Sequence, residues 1–276
     1  MGTSGLTQES HRRTNRARRV VVRLVYLNLN PRHFPEDDRS VITASKSELA
    51  ELGFCVISDV ATLETTDELT RSLEALSGDE NAGRSPGTRN LAALAPAVAR
   101  FSNSANIAAL LGFLGLPGGF LVRSILFDKQ PGANWKVAWH QDLTIAVTER
   151  MDVPGFGPWS EKAGVPHVQP PASILARMIT LRLHIDNCDT RNGPLRVIPR
   201  SHRQGVLTPG EIQSWRRNRA EHLCTVPKGG ILAMRPLLLH ASSPALVPSH
   251  RRVIHLEYSA DELPAGLDWF DRKRGP

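Results

Sequence analysis

The chain has few cysteines, no internal repeats and no long apolar runs. Three cysteines occur in 276 residues, at positions 55, 188 and 224. An odd number at wide spacing fits neither a disulfide framework nor a cysteine-based zinc site, and points to reduced thiols in a cytoplasmic protein. No apolar run approaches the roughly 20 residues of a membrane-spanning helix, so a membrane protein is not expected. Val20-Val21-Val22-Arg23-Leu24-Val25, behind a set of arginine pairs, is too short and too interrupted to be the apolar part of an export signal.

Acidic residues are also in deficit, 27 against 34 lysines and arginines, giving a formal charge of +7. The excess is uneven. Residues 1–40 hold eight arginines against four acids, so most of the net charge sits at one end. A basic arm can bind polyanions by releasing counterions, but a solvated tail is the simpler reading, and a nucleic-acid partner is not expected. Residues 1–23 therefore read as a basic, disordered tail, and residues 24–276 as one domain. A hydrophobic content of 41% is ample for its core.

Helical patterns come first. Ser45-x-x-Glu48 has the form of a capping box, opening a short helix that Gly53 ends. Phe54 to Ile57 reads as a strand. Leu69, Leu73 and Leu76 share one face of a helix over 66–76. Ser77 to Asn90 reads as a loop. Two further helices are expected near Leu91–Phe101, interrupted by Pro96, and near Ser104–Leu114. From Phe120 the pattern turns to β, with a strand over Phe120–Phe127 and another around His140 after a Pro-Gly turn. Residues 151–173 are dense in proline and glycine and read as an irregular lid, from which Phe156, Trp159 and His167 are candidates to touch substrate. Ile179 to Asp186 alternates strictly between apolar and polar residues, as a half-buried strand does. Its polar face, with Thr180, Arg182 and His184, lies either in solvent or in a barrel interior. Asn192-Gly193 is a turn. Helices followed by many strands suggest a mainly β fold with flanking helices, a double-stranded β-helix (a cupin-like jelly roll) buttressed by its N-terminal helices.

The chemistry concentrates in Trp139-His140-Gln141-Asp142. On a strand, residues two apart face the same side, so one imidazole and one carboxylate would share a face. An H-x-D pair alone is weak evidence in a chain with ten histidines. A third ligand strengthens it. His240, in Leu237-Leu238-Leu239-His240-Ala241-Ser242, would complete a 2-His-1-carboxylate set, which leaves open positions and suits non-haem Fe(II). Arg251 follows eleven residues later. It offers a permanently charged, two-pronged donor for a carboxylate. It shares a strand face with Val253, whereas Arg252 aligns with Ile254, Leu256 and Tyr258. Of the other histidines, His202 more simply fixes its loop than binds metal, and His184 and His255 read as core or supporting residues. Among the tryptophans, Trp135 and Trp139 flank the metal segment and are expected to line the pocket.

Phe127-Asp128-Lys129-Gln130-Pro131, Asn134-Trp135-Lys136, Trp139 to Asp142, Asn192 to His202 and His240 to Tyr258 together resemble the phytanoyl-CoA dioxygenase family, from about Ser47 to the C-terminus. That resemblance implies an enzyme using Fe(II), 2-oxoglutarate and O₂, with iron on His140, Asp142 and His240. It implies 2-oxoglutarate bound by Arg251 with the Ser242 hydroxyl, and a further co-substrate contact from Arg182. The reaction implied is hydroxylation of a small organic substrate with release of succinate and CO₂. Related halogenases replace the metal carboxylate with a small residue, so Asp142 argues for hydroxylation or a related oxidation. Two positions depart from the family: Arg200 stands where glycine usually precedes the Ser-His pair, and Gly229-Gly230 stands where Gly-Asp is common. Two other readings remain open on the residues. One is a cupin-type metalloenzyme without 2-oxoglutarate; the other is a catalytically silent basic binding protein.

Overall fold

The computed structural model describes residues 20–21, 45–76 and 87–272. The rest of the basic tail and the segments 22–44 and 77–86 lie outside the described residues. Strand β1, Val20–Val21, pairs in parallel with β2, Phe54–Ser58, so the segment expected to be a disordered tail adds a two-residue edge strand to the sheet. Between them helix α1 covers residues 45–52, with its start, where the capping box is expected, at the edge of the described region. Gly53 ends α1 at φ 90°, and a Cβ there would lie 2.4 Å from the His202 ring. Only glycine fits both conditions.

Helices α2 (Leu63–Leu76), α3 (Leu91–Leu94), α4 (Pro96–Ser102) and α5 (Ala105–Phe113) follow, with the two-residue strand β3, Thr88–Arg89, between α2 and α3. Pro96 splits the expected helix in two, because it cannot donate to the preceding turn and instead opens α4 at its first position. Ser104 caps α5 by accepting from the Ile107 amide at 3.4 Å.

The strands are β4 (Phe120–Lys129), β5 (Val137–His140), β6 (Ile145–Ala146), β7 (Trp159–Lys162) and β8 (Val165–Val168), then, after helix α6 (Ala172–Arg177), β9 (Ile179–His184) and β10 (Leu195–Val197). Helix α7 (Pro209–Asn218) precedes β11 (His222–Cys224), β12 (Ile231–Met234), β13 (His240–Ser242) and β14 (Arg251–Ser259). A large sheet runs β1-β2-β12-β9-β14-β4-β3 and a smaller one β11-β10-β13-β5, the two-sheet arrangement of a double-stranded β-helix. A third sheet, β6-β8-β7, closes one end.

The central strands of the large sheet, β12, β9 and β14, are buried on both faces. Ile254, Leu256 and Tyr258 of β14 join Leu181 and Leu183 of β9 against Leu69, Leu73, Val98 and Ile107 of the helices. Each such side chain contributes about 1.5–3 kcal/mol by leaving water. The alternate residues of β14 turn inward. Every residue of β9 is buried, so the strand is not half in solvent: its polar face lies inside the fold.

Residues 151–173, expected to be irregular, are not irregular throughout. They contain the β7–β8 hairpin, turned by Ala163 and Gly164, both with positive φ (51° and 71°). Two left-handed residues give a tight turn whose twist matches its strands. Phe156 and Trp159 pack with Val122, Val168 and Trp269 in a core cluster of their own.

Candidate active site

Strand pairing brings the two histidines together. His140 on β5 stands opposite His240 on β13, and their ring centroids are 4.2 Å apart. β5 ends at His140, so Asp142 lies beyond the strand. Its position comes from its backbone amide, which donates to Pro236 O at 2.9 Å. Gln141 fixes the same turn. Its amide donates to Leu237 O (2.7 Å) and Gly205 O (2.8 Å), and its carbonyl accepts from the Leu207 amide (2.8 Å). Ser201 holds the approach to His240 by accepting from the Leu239 amide at 2.8 Å.

Each histidine Nδ1 lies 2.8 Å from a carbonyl oxygen two residues back, Ala138 O for His140 and Leu238 O for His240. A carbonyl only accepts, so Nδ1 carries the proton and Nε2 presents a lone pair. Both Nε2 atoms lie 3.7 Å from the Asp142 carboxylate, one from each oxygen. Ligand atoms of the three residues fall within 4.8 Å of one another, and buried Asp142 Oδ2 has no hydrogen-bond partner among the described residues. This donor set fits a divalent cation. Burial works to raise the Asp142 carboxyl, but His240, His255, His140 and Arg123 hold it well below the usual carboxylate range. Burial and the neighbouring His140 push His240 down to about 3, which keeps its imidazole neutral.

The triad opens on a cavity of about 550 Å³. At one end lie Arg251, Ser242 and Lys129, with Arg182 further along the wall opposite His255. Arg251 is 4% exposed, yet its guanidinium makes no hydrogen bond or ion pair among the described residues. An unpartnered buried guanidinium is costly, and a ligand carboxylate would satisfy it. Arg252 turns to the other face and binds Asp186 through two bonds of 3.0 and 2.8 Å. Buried Lys129 donates to Ser242 Oγ at 3.1 Å and to Ser243 O. Burial, then Arg251, pushes its ammonium down to about 8. Arg182 donates to His255 Nδ1 at 2.7 Å.

Behind Asp142 runs a buried chain of charges. His255 Nε2 donates to Glu257 Oε1 at 2.8 Å, and Arg123 also binds Glu257. His255 and Glu257 lie close enough to Asp142 to suggest a second metal cluster. Both His255 nitrogens are already bonded, however, and Arg123 neutralises Glu257, so this set reads as an internal ion network.

Several expectations need correction. Trp139 does not line the cavity; it packs with Ile198, Leu207 and Leu239, as its alternation with His140 requires, and only Trp135 reaches the wall. Phe156, Trp159 and His167 do not line it either, whereas Lys162 of the same hairpin does. His202 lies 3.3 Å from Ala50 O and so ties its turn to α1. Arg200 adopts φ 71°, the left-handed conformation that glycine takes most easily. At Gly230 a Cβ would meet Pro227 O and Val226 at 3.0 Å, so this backbone has little room for the aspartate common there. Lys129, Arg123 and Glu257 go unassigned in the sequence, and His255 reads there as a core or supporting residue, although Arg251, His255 and Glu257 fall on one face of the same alternating strand.

The two-sheet barrel, with a His-Asp-His set at its mouth and an unpaired arginine inside, defines an iron- and 2-oxoglutarate-dependent oxygenase. The model of the phytanoyl-CoA dioxygenase (PhyH) family matches residues 49–253, and the chain belongs to that family. Among solved structures, the non-haem α-ketoglutarate-dependent epimerase SnoN from nogalamycin biosynthesis is 15% identical, with a TM-score of 0.60 over 83% of this chain and 92% of that one. The carbocyclase SnoK from the same biosynthesis is 13% identical (TM-score 0.62, 84% and 87% covered). EctD from S. alaskensis, solved with 2-oxoglutarate and 5-hydroxyectoine, is 19% identical (TM-score 0.61, 79% and 75% covered). At these identities the likeness is one of fold. No curated protein sequence matches. Among the described residues no helix is long and apolar enough to cross a membrane.

Proposed function

We propose that His140, Asp142 and His240 hold Fe(II) and that the chain hydroxylates a small organic substrate as 2-oxoglutarate is converted to succinate and CO₂. The observation that carries this reading is the convergence of two imidazole lone pairs on Asp142, whose buried Oδ2 has no other partner. Arg251, helped by Ser242, binds the distal carboxylate of 2-oxoglutarate, and Arg182 orients the co-substrate from the cavity wall. The iron supplies oxidation of an unactivated C–H bond, while the protein positions both substrates and limits water. EctD, whose structure holds 2-oxoglutarate and 5-hydroxyectoine, shares the fold, as do an epimerase and a carbocyclase. Retention of Asp142 argues against halogenation and for hydroxylation or a related oxidation. Residues 24–276 form the catalytic unit, with 1–23 dispensable for turnover, and the partner is a small molecule rather than nucleic acid. Three unpaired buried thiols are consistent with a reducing, cytoplasmic setting.

Succinate and CO₂ release from 2-oxoglutarate, measured with and without Fe(II), tests the reading. Release should require Fe(II) and vanish in His140→Ala, Asp142→Ala and His240→Ala. Undiminished turnover in any one variant would remove that residue from the set.

A further inference from the structure

The cavity wall is strongly biased in charge. Seven cationic side chains line it, Arg89, Arg123, Lys129, Lys136, Lys162, Arg182 and Arg251, against a single carboxylate, Asp142. Two of them, Lys129 and Arg251, face the end assigned to 2-oxoglutarate, and Arg182, opposite His255, stands midway along the wall. A second group gathers at the opposite end. Arg123 and Lys129 are six residues apart on β4, about 20 Å at roughly 3.4 Å per residue.

That second group comes from three separate strands: Arg89 from β3, Arg123 from β4 and Lys162 from β7. Arg123 is matched by Glu257 and donates to Thr144 O at 2.9 Å. Among the described residues Lys162 has only the neutral Thr144 Oγ1 as a hydrogen-bond partner, at 3.1 Å. Arg89 makes no hydrogen bond or ion pair among the described residues. Burial, followed by the Arg123 guanidinium, lowers the proton affinity of both Arg89 and Lys162, with Glu257 and Asp142 opposing the effect. Glu257 and Asp142 act on Arg89 and Lys162 only from a distance and no described carboxylate contacts either, so an anion that arrives from outside would give both a direct partner. A dianion at the Arg251 end leaves these charges unmatched. The wall between the two groups carries Ile125 and Phe127, which lie between Arg123 and Lys129 on β4, an apolar surface for the body of an organic molecule.

We propose that Arg89 and Lys162, backed by Arg123, form a subsite for a compact oxyanion on the substrate, a carboxylate or a phosphate ester. The oxidised carbon then lies on the apolar body between that group and the metal. The position of the reacting carbon rests on the oxygenase reading; the anion subsite does not.

Calorimetry on the Mn(II)- and 2-oxoglutarate-loaded chain tests this with hexanoate, hexyl phosphate and neutral hexanamide. At least one anion should bind ten-fold or more tightly than the amide, and the two anionic arms distinguish carboxylate from phosphate. Arg89→Gln and Lys162→Gln should each reduce that preference about three-fold, and together should abolish it. Arg89→Lys with Lys162→Arg should retain it. Affinity for 2-oxoglutarate should be unchanged in all four variants. Equal binding of amide and anions, no binding of any of them, or a preference that survives the double substitution to glutamine would overturn the proposal. Loss of 2-oxoglutarate affinity in that variant would also overturn it, by assigning the cations to the co-substrate. Should the wild-type chain bind no 2-oxoglutarate, the oxygenase reading fails, and the same titrations with Mn(II) alone still decide the anion subsite.

Discussion

Lys129 and Arg251 are direct cross-strand partners in the β4–β14 pair, two cations buried side by side at 1% and 4% exposure. Like charges directly opposite on a sheet are destabilising, and burial has already pushed Lys129 down to about 8. A dicarboxylate between them would relieve both. Lys129→Met should therefore raise the Tm of the ligand-free protein while weakening 2-oxoglutarate binding about ten-fold. In the wild type the apparent KM for 2-oxoglutarate should rise as pH increases through about 8, where the lysine loses its proton, and Lys129→Met should flatten that rise. A pH-independent KM, or a lower Tm with unchanged affinity, would make Lys129 a structural residue only.

Neighbouring arginines should fail in different ways. Arg251→Ala removes one partner of a buried charge-assisted pair, a loss on the order of 2–5 kcal/mol. The KM for 2-oxoglutarate should then rise roughly 30-fold or more, since about 1.4 kcal/mol is tenfold. Fe(II) affinity should hardly change. Arg252→Ala should leave KM nearly unaltered but lower the Tm, because its two bonds to Asp186 tie β14 to the end of β9. Exchange of these two phenotypes would reverse the assignment.

These arginines also show what was legible in the sequence. Strict alternation along β14 separates Arg251 from Arg252 without any structure, because period two assigns faces directly. The same rule sends Trp139 away from His140, so its expected place in the pocket conflicted with a pattern already visible. His140 and His240 carry a recognisable spacing. Lys162 and Arg89 do not. They come from short strands outside any motif, and only the tertiary pairing of β3 with β4 and of β7 with β8 sets them on one wall. The hairpin over 159–168 was hidden for a different reason. The prolines and glycines around it read as loop, and four-residue strands carry little periodicity. Asp142 was read as a strand residue although the strand stops at His140. Its placement depends on Pro236, nearly one hundred residues away.

Arg200 offers a gain in stability. A non-glycine residue at φ 71° costs roughly 1–2 kcal/mol relative to the right-handed region. Arg200→Gly relieves that strain but increases the freedom of the unfolded chain, an opposing effect of up to about 1 kcal/mol. The net expectation is a stabilisation of up to about 1 kcal/mol in urea unfolding, with unchanged 2-oxoglutarate turnover. A destabilised variant would show that contacts of the arginine side chain outweigh its backbone strain.

Glu257 should be the most sensitive residue that touches neither proposed ligand. Burial works to raise its carboxyl, but Arg123 and His255 hold it below the usual value near 4.5. Its folded-state proton affinity is thus depressed, so its contribution to stability is present above about pH 4.5 and is lost as pH falls through the lower folded value. Glu257→Ala leaves the Arg123 guanidinium buried without its counter-charge, which costs roughly 3–5 kcal/mol when a buried pair is broken. Urea unfolding at neutral pH should show that loss, and the difference from wild type should shrink in acid. Replacing both partners, Arg123→Met with Glu257→Met, should recover much of it, because two apolar side chains avoid the desolvation of two charges. A double variant no more stable than Glu257→Ala would show that the bonds from Arg123 to Thr144 and from His255 to Glu257, rather than the ion pair, carry the stability of this part of the barrel.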